Sequence, residues 1–132
     1  MIEFHIEPRS GVAPYLQLVH QVRQALRLGL LSEGDRLPKV KEVAAKVAIN
    51  PNTVLKAYRQ LENEGLVSPR PGVGTFVSGT LGSPAPSEQE PLRRELRRWL
   101  DAARAAGLDE ESIEALFRQT VRSPPESPPE EE

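Results

Sequence analysis

The chain has 132 residues, of which 38% are hydrophobic, with two histidines, no cysteine and a formal net charge of −2. This length accommodates one ordinary domain with an appendage, and the absence of thiols excludes disulfides and thiolate metal sites. We therefore expect neither a metal nor any other cofactor. The N-terminus lacks the pattern of a secretion signal, and no run reaches the roughly 18 apolar residues of a membrane span. These features predict a cytoplasmic protein without membrane attachment.

The charged residues are unevenly distributed along the chain. Residues 1–80 contain 10 Lys or Arg against 7 Asp or Glu, whereas residues 81–132 contain 7 against 12. A basic first part followed by an acidic second part is typical of a nucleic-acid reader with an acidic tail. The excess of +3 in the first part is modest, so the charge supports DNA binding only together with the motifs.

The first part of the chain combines one predicted strand with three predicted helices. Alternating apolar and polar residues predict a short, half-buried strand over residues 2–7, ending at Pro8. Helical spacing begins at Pro14 and lasts until Gly29, and after a turn at residues 32–35 it returns over residues 40–47. A third helix is expected over residues 51–64, with Gly65 placed to end it.

Residues 50–54 join the second and third helices and predict a helix-turn-helix. Asn before Pro is a helix-start signal, and the second helix of such a pair can enter the DNA major groove. Asn52, Thr53 and Lys56 lie at its front, where Asn can pair with adenine and Lys can reach guanine or phosphate. Asn50 either reads DNA or caps the helix. Tyr58 falls on the apolar face, with its hydroxyl expected at the surface.

A β-hairpin is predicted after the third helix. Residues 66–68 and 75–77 are strand-like and flank a tip rich in Pro and Gly. Three helices followed by a hairpin is the winged-helix order. Arg70 can contact phosphate, Gly72 and Gly74 allow close approach of the backbone, and Gly74 or Thr75 can offer a backbone N–H. The sequence therefore predicts a winged helix-turn-helix over residues 1–79.

The remaining residues predict a linker, two helices and a tail. Residues 80–87 form the linker, residues 88–122 a two-helix region, and the acidic, Pro-rich residues 123–132 a disordered tail. A capping-box pattern at Ser87 to Glu90 starts the first of these helices, Gly107 ends it, and Asp109 caps the second.

The two C-terminal helices carry an apolar stripe that needs a partner, because so small a unit rarely supports its own core. The stripe either folds back on the winged helix or pairs with a second chain, and we favour the second chain. The residues expected to form this dimer interface are Leu92, Leu96, Trp99, Leu100, Ile113, Leu116 and Phe117.

Several motifs in this order resemble the GntR family of bacterial regulators, in particular its YtrA-like subfamily. They are Gly34-Asp35-Arg36-Leu37-Pro38, Asn50-Pro51-Asn52-Thr53-Val54, Lys56-Ala57-Tyr58, Leu61-Glu62-Asn63-Glu64-Gly65 and Gly72-Val73-Gly74-Thr75-Phe76-Val77. The resemblance implies a homodimeric winged-helix repressor that binds a two-fold DNA operator, with room for a small-molecule effector of unknown chemistry. Family members usually carry Ser and Arg where this chain has Lys39 and Lys41, which favours phosphate contact here.

The expected fold is mainly α with a small β-hairpin wing, followed by the two-helix dimerisation unit. The expected function is that of a sequence-specific transcriptional regulator. The alternative is a winged-helix protein-interaction module, which the polar, basic front of the third helix disfavours. The sequence contains no nucleophile motif, metal-binding motif or phosphate-binding loop, so we do not expect an enzyme. The predicted DNA-binding residues are Lys39, Lys41, Asn50, Asn52, Thr53, Lys56, Arg70, Gly72, Gly74 and Thr75.

Overall fold

A computed structural model describes residues 2–81 and 86–123, with only the backbone at residues 86 and 87. It divides into two compact units, Met1–Gln89 and Glu90–Glu132. The mainly α fold with a small wing is confirmed. The elements are α1 (Pro14–Arg27), α2 (Val40–Val47), α3 (Pro51–Asn63), β1 (Val67–Arg70), β2 (Gly74–Val77), α4 (Pro86–Ala105) and α5 (Glu110–Arg122).

The predicted domain boundaries stay predictions, although α4 begins at Pro86, within the expected linker at residues 80–87. Residues 82–85 of that linker and residues 124–132 of the expected tail lie outside the described residues. Of the helices in the described ranges, none has the length and apolar character needed to cross a bilayer.

The core of the first unit lies where α1 and α2 pack against α3 and where α3 meets β1. Its fully buried side chains come from α1, α3, β1 and the segment before α2, and α2 adds the buried Val43 and Ala44. Burial of each large aliphatic side chain contributes about 1.5–3 kcal/mol, so this cluster fixes the three helices relative to one another. The fully buried residues are Leu18, Val19, Val22, Leu37, Val54, Leu61 and Val67.

The turn between α2 and α3 is set by two adjacent devices. Ala48 ends α2 in the left-handed conformation, with φ of 57°. Asn50 then caps α3, because its Oδ1 accepts a hydrogen bond from the backbone N–H of Asn52 at 2.7 Å. The capping role of Asn50 is thus confirmed, and Pro51 occupies the first helical position as the sequence predicts.

A third extended segment pairs with the wing hairpin, and the sequence analysis did not predict it. β1 and β2 pair antiparallel, with Arg70 opposite Gly74 and Val67 opposite Val77. Residues 34–37, expected to begin as a turn, run along the other edge of β2. The N–H of Leu37 donates to the carbonyl of Thr75 at 2.9 Å, and Arg36 lies opposite Phe76.

The predicted strand at residues 2–7 is wrong, since this segment pairs with no strand in the described part of the chain. Two glutamines of α1 hold it instead. The amide of Gln21 bonds the N–H and the carbonyl of His5, at 3.1 and 2.7 Å, and Gln17 bonds those of Glu7 in the same way. Phe4 is buried, so the period-two pattern correctly marked the inward side chain although the hydrogen-bond partner is a side-chain amide.

The second unit contains α5 and most of α4, joined by a turn at Gly107, where φ is 95°. Asp109 caps α5 as predicted, since its Oδ1 accepts from the N–H of Ser112 at 2.8 Å. Ser87 lies inside α4 and is not its N-cap, because the helix begins one residue earlier.

Among the described residues of the second unit, the buried apolar side chains lie near the turn. Ala103 and Ile113 are only 8% and 7% exposed. Farther from the turn Trp99 and Leu100 are half-buried, and other apolar residues face solvent, among them Leu92, which is 67% exposed. The other exposed apolar residues of this unit are Leu96, Leu116, Phe117 and Val121.

Candidate nucleic-acid interface

The exposed side of α3 carries polar and basic side chains opposite its buried residues. Asn52 and Lys56 are exposed, and Thr53 is half-buried beside them. Arg59 belongs to the same face and was missed, although its spacing from Asn52 and Lys56 follows the i, i+4, i+7 rule. In the described parts of the chain, neither the Asn52 amide nor the Arg59 guanidinium has an ion-pair or side-chain hydrogen-bond partner. Both are therefore free to meet a ligand.

Lys56 does not extend freely from α3. Its ammonium lies 4.1 Å from the centroid of the Tyr15 ring, at the start of α1. Such a contact contributes about 0.5–1 kcal/mol at an exposed site, which is enough to bias the side chain without trapping it. Sequence reasoning missed Tyr15, because no local pattern connects residues so far apart along the chain.

Tyr58 ties α3 to the residue before the N-cap of α2. Its side chain is buried, as predicted, but its hydroxyl does not reach the surface: it donates to the carbonyl of Pro38 at 2.6 Å. Burial raises the pKa of this phenol, and the carboxylate of Glu42 adds to the shift. The hydroxyl thus stays protonated and holds the chain leading to Lys39, the N-cap residue of α2.

A cleft of about 380 Å³ lies between the start of α2, α3 and the wing. Its lining includes Tyr58, Pro38 and the wing tip. Half of the residues predicted to bind DNA surround this cleft, which the fold therefore brings together. They are Lys39, Arg70, Gly72, Gly74 and Thr75.

The cations near this cleft are not neutralised by the protein itself. Lys39 and Lys41 are exposed, and the described residues place no carboxylate within ion-pair distance of either. Arg70 is also unpaired, and its guanidinium lies 4.3 Å from the centroid of the Phe76 ring. By contrast, the basic Lys46 lies on α2 with its amine 3.7 Å from a carboxylate oxygen of Glu3.

Arg23 and Glu64 form a partly buried ion pair that connects α1 to the end of α3. The Nε of Arg23 donates to Glu64 at 2.9 Å, and a terminal guanidinium nitrogen makes a second contact. The hydrogen bond from Arg23 holds the pKa of Glu64 below its usual value, assisted by Gln60. The guanidinium is thus occupied in fixing the helix rather than available to a ligand.

A three-helix core that presents an unpaired polar helix face beside a cation-lined β-hairpin defines a winged-helix DNA-binding protein. The pattern described as "Bacterial regulatory proteins, gntR family" matches residues 14–77. The HTH-type transcriptional repressor YtrA of Bacillus subtilis (strain 168) is 31% identical over 115 residues, covering 86% of this chain and 88% of that protein. The chain therefore belongs to the GntR family and is a DNA-binding transcriptional regulator.

Solved structures agree with this assignment. YtrA from Sulfolobus acidocaldarius, described as a GntR-family transcription factor, is 28% identical with a TM-score of 0.53, over 73% of this chain and 95% of that one. A transcriptional regulator from Oenococcus oeni is 33% identical with a TM-score of 0.52, over 88% and 97%. The similarity to both extends beyond the winged helix.

Proposed function

We propose that this regulator is a non-enzymatic, cytoplasmic repressor that binds a two-fold operator as a homodimer. The observation that carries the proposal is the exposed face of α3, which presents Asn52, Lys56 and Arg59 to solvent in the same unit as the cation-lined wing cleft. The similarity to a protein named as a repressor favours repression by occupation of a promoter.

The side chains divide into two groups by chemistry. Asn52 selects adenine and Lys56 contacts guanine or phosphate, while Asn50, whose Oδ1 is used by the cap, has its amide N–H groups left to donate. The second group sets the register of the protein on the phosphate backbone and supplies most of the affinity. It comprises Lys39, Lys41, Thr53, Arg70, Gly72, Gly74 and Thr75.

The exposed apolar surface of the second unit supports the homodimer. A groove of about 520 Å³ between α4 and α5 is lined by the apolar residues Leu96, Trp99, Leu100, Ile113 and Phe117. Two helices of this size cannot close a core, and a second copy supplies two more. The dimer then presents two copies of α3 about 34 Å apart, one turn of DNA. A small-molecule effector would bind between the C-terminal helices of such a dimer.

The test compares two exposed asparagines of α3: Asn52, next to the N-cap, and Asn63, at the other end of the helix. Asn52→Ala should relax base preference at one position in each half-site, since a bidentate contact discriminates by about 1–3 kcal/mol. Asn63→Ala, at the last residue of the helix, should retain the wild-type preference. Both variants and the wild type are measured by gel shift on a panel of operator variants selected with the purified protein.

Two outcomes would contradict the proposal. An Asn52→Ala protein with unchanged base preference would remove the base-reading role of this residue. A wild-type protein that binds no promoter fragment at low ionic strength would instead favour the protein-interaction alternative.

A further inference from the structure

The outer face of the wing sheet carries a pair of arginines. Antiparallel pairing places the side chains of Arg36, Phe76 and Arg70 on one face, because Arg36 lies opposite Phe76 and Arg70 lies opposite Gly74. The other face carries Val67 and its partner in β2, both of which are buried in the core. β2 lies between β1 and residues 34–37. The two guanidinium groups therefore approach β2 from opposite edges, on its solvent-facing side.

Gly74 provides the space in which Arg36 lies. A Cβ added to this glycine would stand 2.9 Å from the Nε of Arg36 and 3.5 Å from its Cζ. The guanidinium thus rests directly over the backbone of β2, which a side chain at position 74 would prevent. Gly74 also has φ of 148°, a conformation that favours glycine.

Arg70 approaches the same surface from β1. Its Cζ lies over the Phe76 ring, 4.3 Å from the ring centroid, and the N–H groups of this guanidinium have no hydrogen-bond partner among the described residues, so they are left for a ligand. Neither arginine has a carboxylate partner among the described residues. Two unpaired, planar cations beside the backbone of Gly74 match the charge and the forked geometry of a phosphodiester.

We propose that Arg36 and Arg70 form a phosphate-binding site on the outer face of the wing, occupied by the backbone of bound DNA. This proposal rests on the proposed function. It adds Arg36 to the DNA interface as a residue that contacts phosphate and therefore contributes to binding of any DNA sequence. Gly74 serves the site by leaving room for the Arg36 guanidinium, in addition to allowing the hairpin conformation.

The experiment measures DNA affinity against salt concentration for the full chain. Arg36→Gln should weaken binding about fivefold, equally for all operator variants. It should reduce the slope of log affinity against log salt by about 0.9 for each subunit bound, because one phosphate contact is lost. Arg94→Gln removes the same charge from an exposed position of α4 and should leave the slope unchanged. Arg36→Lys keeps the charge and should keep most of the slope.

The outcomes separate this proposal from the function on which it rests. If the wild type binds DNA but Arg36→Gln has the wild-type slope, or if Arg36→Lys loses as much slope as Arg36→Gln, the phosphate site is wrong. If Arg36→Gln changes the preferred sequence, Arg36 reads bases and the site is also wrong. A wild type that fails to bind DNA overturns the proposed function itself. Circular dichroism and thermal melting verify that each variant is folded.

Discussion

The two units of this molecule use the same signals to form helices but differ in how they bury apolar surface. In the first unit, Asn50 caps a helix whose apolar face is fully buried by α1, α2 and the wing. In the second unit, Asp109 caps α5 equally well, yet Phe117 and Leu116 remain about half exposed. Capping and periodicity therefore determine where helices form, whereas the number of packed layers determines whether the unit is complete.

The largest expected effect tests the incompleteness of the second unit. Leu96→Glu places a charge in the apolar groove between α4 and α5, so the chain should become monomeric. DNA affinity should fall by about 100-fold or more, because the second half-site loses its high effective concentration. Light scattering after gel filtration gives the mass, and gel shifts give the affinity.

The matched control for this variant is Leu30→Glu, a change at an exposed leucine of the first unit. It should leave both the mass and the DNA affinity as in the wild type. A Leu96→Glu chain that remains dimeric would show that the apolar face of the second unit is not the interface.

The caps allow a direct comparison between the units. Asn50→Ala should lower the free energy of unfolding by about 1 kcal/mol, because the N–H of Asn52 loses its acceptor. Asp109→Ala removes the equivalent bond to Ser112 and should reduce the helix content of α5 without lowering the melting temperature of the winged helix. Thermal melts followed by circular dichroism, with hydrogen exchange of each helix, test both. Equal loss of protection in both units would mean that they unfold together.

The smallest effect concerns the ion pair that closes the first unit. Because the pKa of Glu64 is lowered below its ordinary 4.5 in the folded state, its contribution is fully present above pH 4.5 and disappears as the pH falls through the lowered value. The stability difference between wild type and Glu64→Gln should therefore be up to about 1 kcal/mol at neutral pH. It should vanish in acid.

Urea unfolding between pH 7 and pH 2 measures this difference. Glu62→Gln, at an exposed carboxylate that forms no ion pair in the described chain, should show little difference at any pH. A Glu64→Gln difference that does not depend on pH would contradict the role of the charge.

Much of the fold follows from local signals in the sequence. Pro51 after Asn50, Gly107 and Asp109 marked helix limits correctly, since caps act within a few residues. The N-terminal segment could not be predicted in this way. Its alternating pattern correctly indicates that Phe4 is buried. Its backbone hydrogen bonds, however, go to Gln17 and Gln21 of α1. Such a tertiary contact has no signature in the local sequence.

The site was predictable only where it lies on one element. The residues at the front of α3 follow from helical spacing, which would also have identified Arg59. Arg36 and Tyr15 could not be found, because each becomes relevant through a contact with a distant element: Arg36 with Gly74 of the wing, and Tyr15 with Lys56. Assignment of DNA-contacting roles to individual residues remains a prediction for the experiments above.

The attachment of α3 to its surroundings limits how this regulator can be redesigned. Three contacts act on the helix: Tyr15 biases the Lys56 side chain on its exposed face, the Pro38 carbonyl accepts from Tyr58, and Arg23 bonds Glu64 just after its end. Two of these three contacts involve α1. A chimera that received only α3 from this protein would lose these contacts. The helix would then sit differently on the DNA, and the chimera would not reproduce the sequence preference of this protein. Transplantation should carry α1 and α3 as one piece.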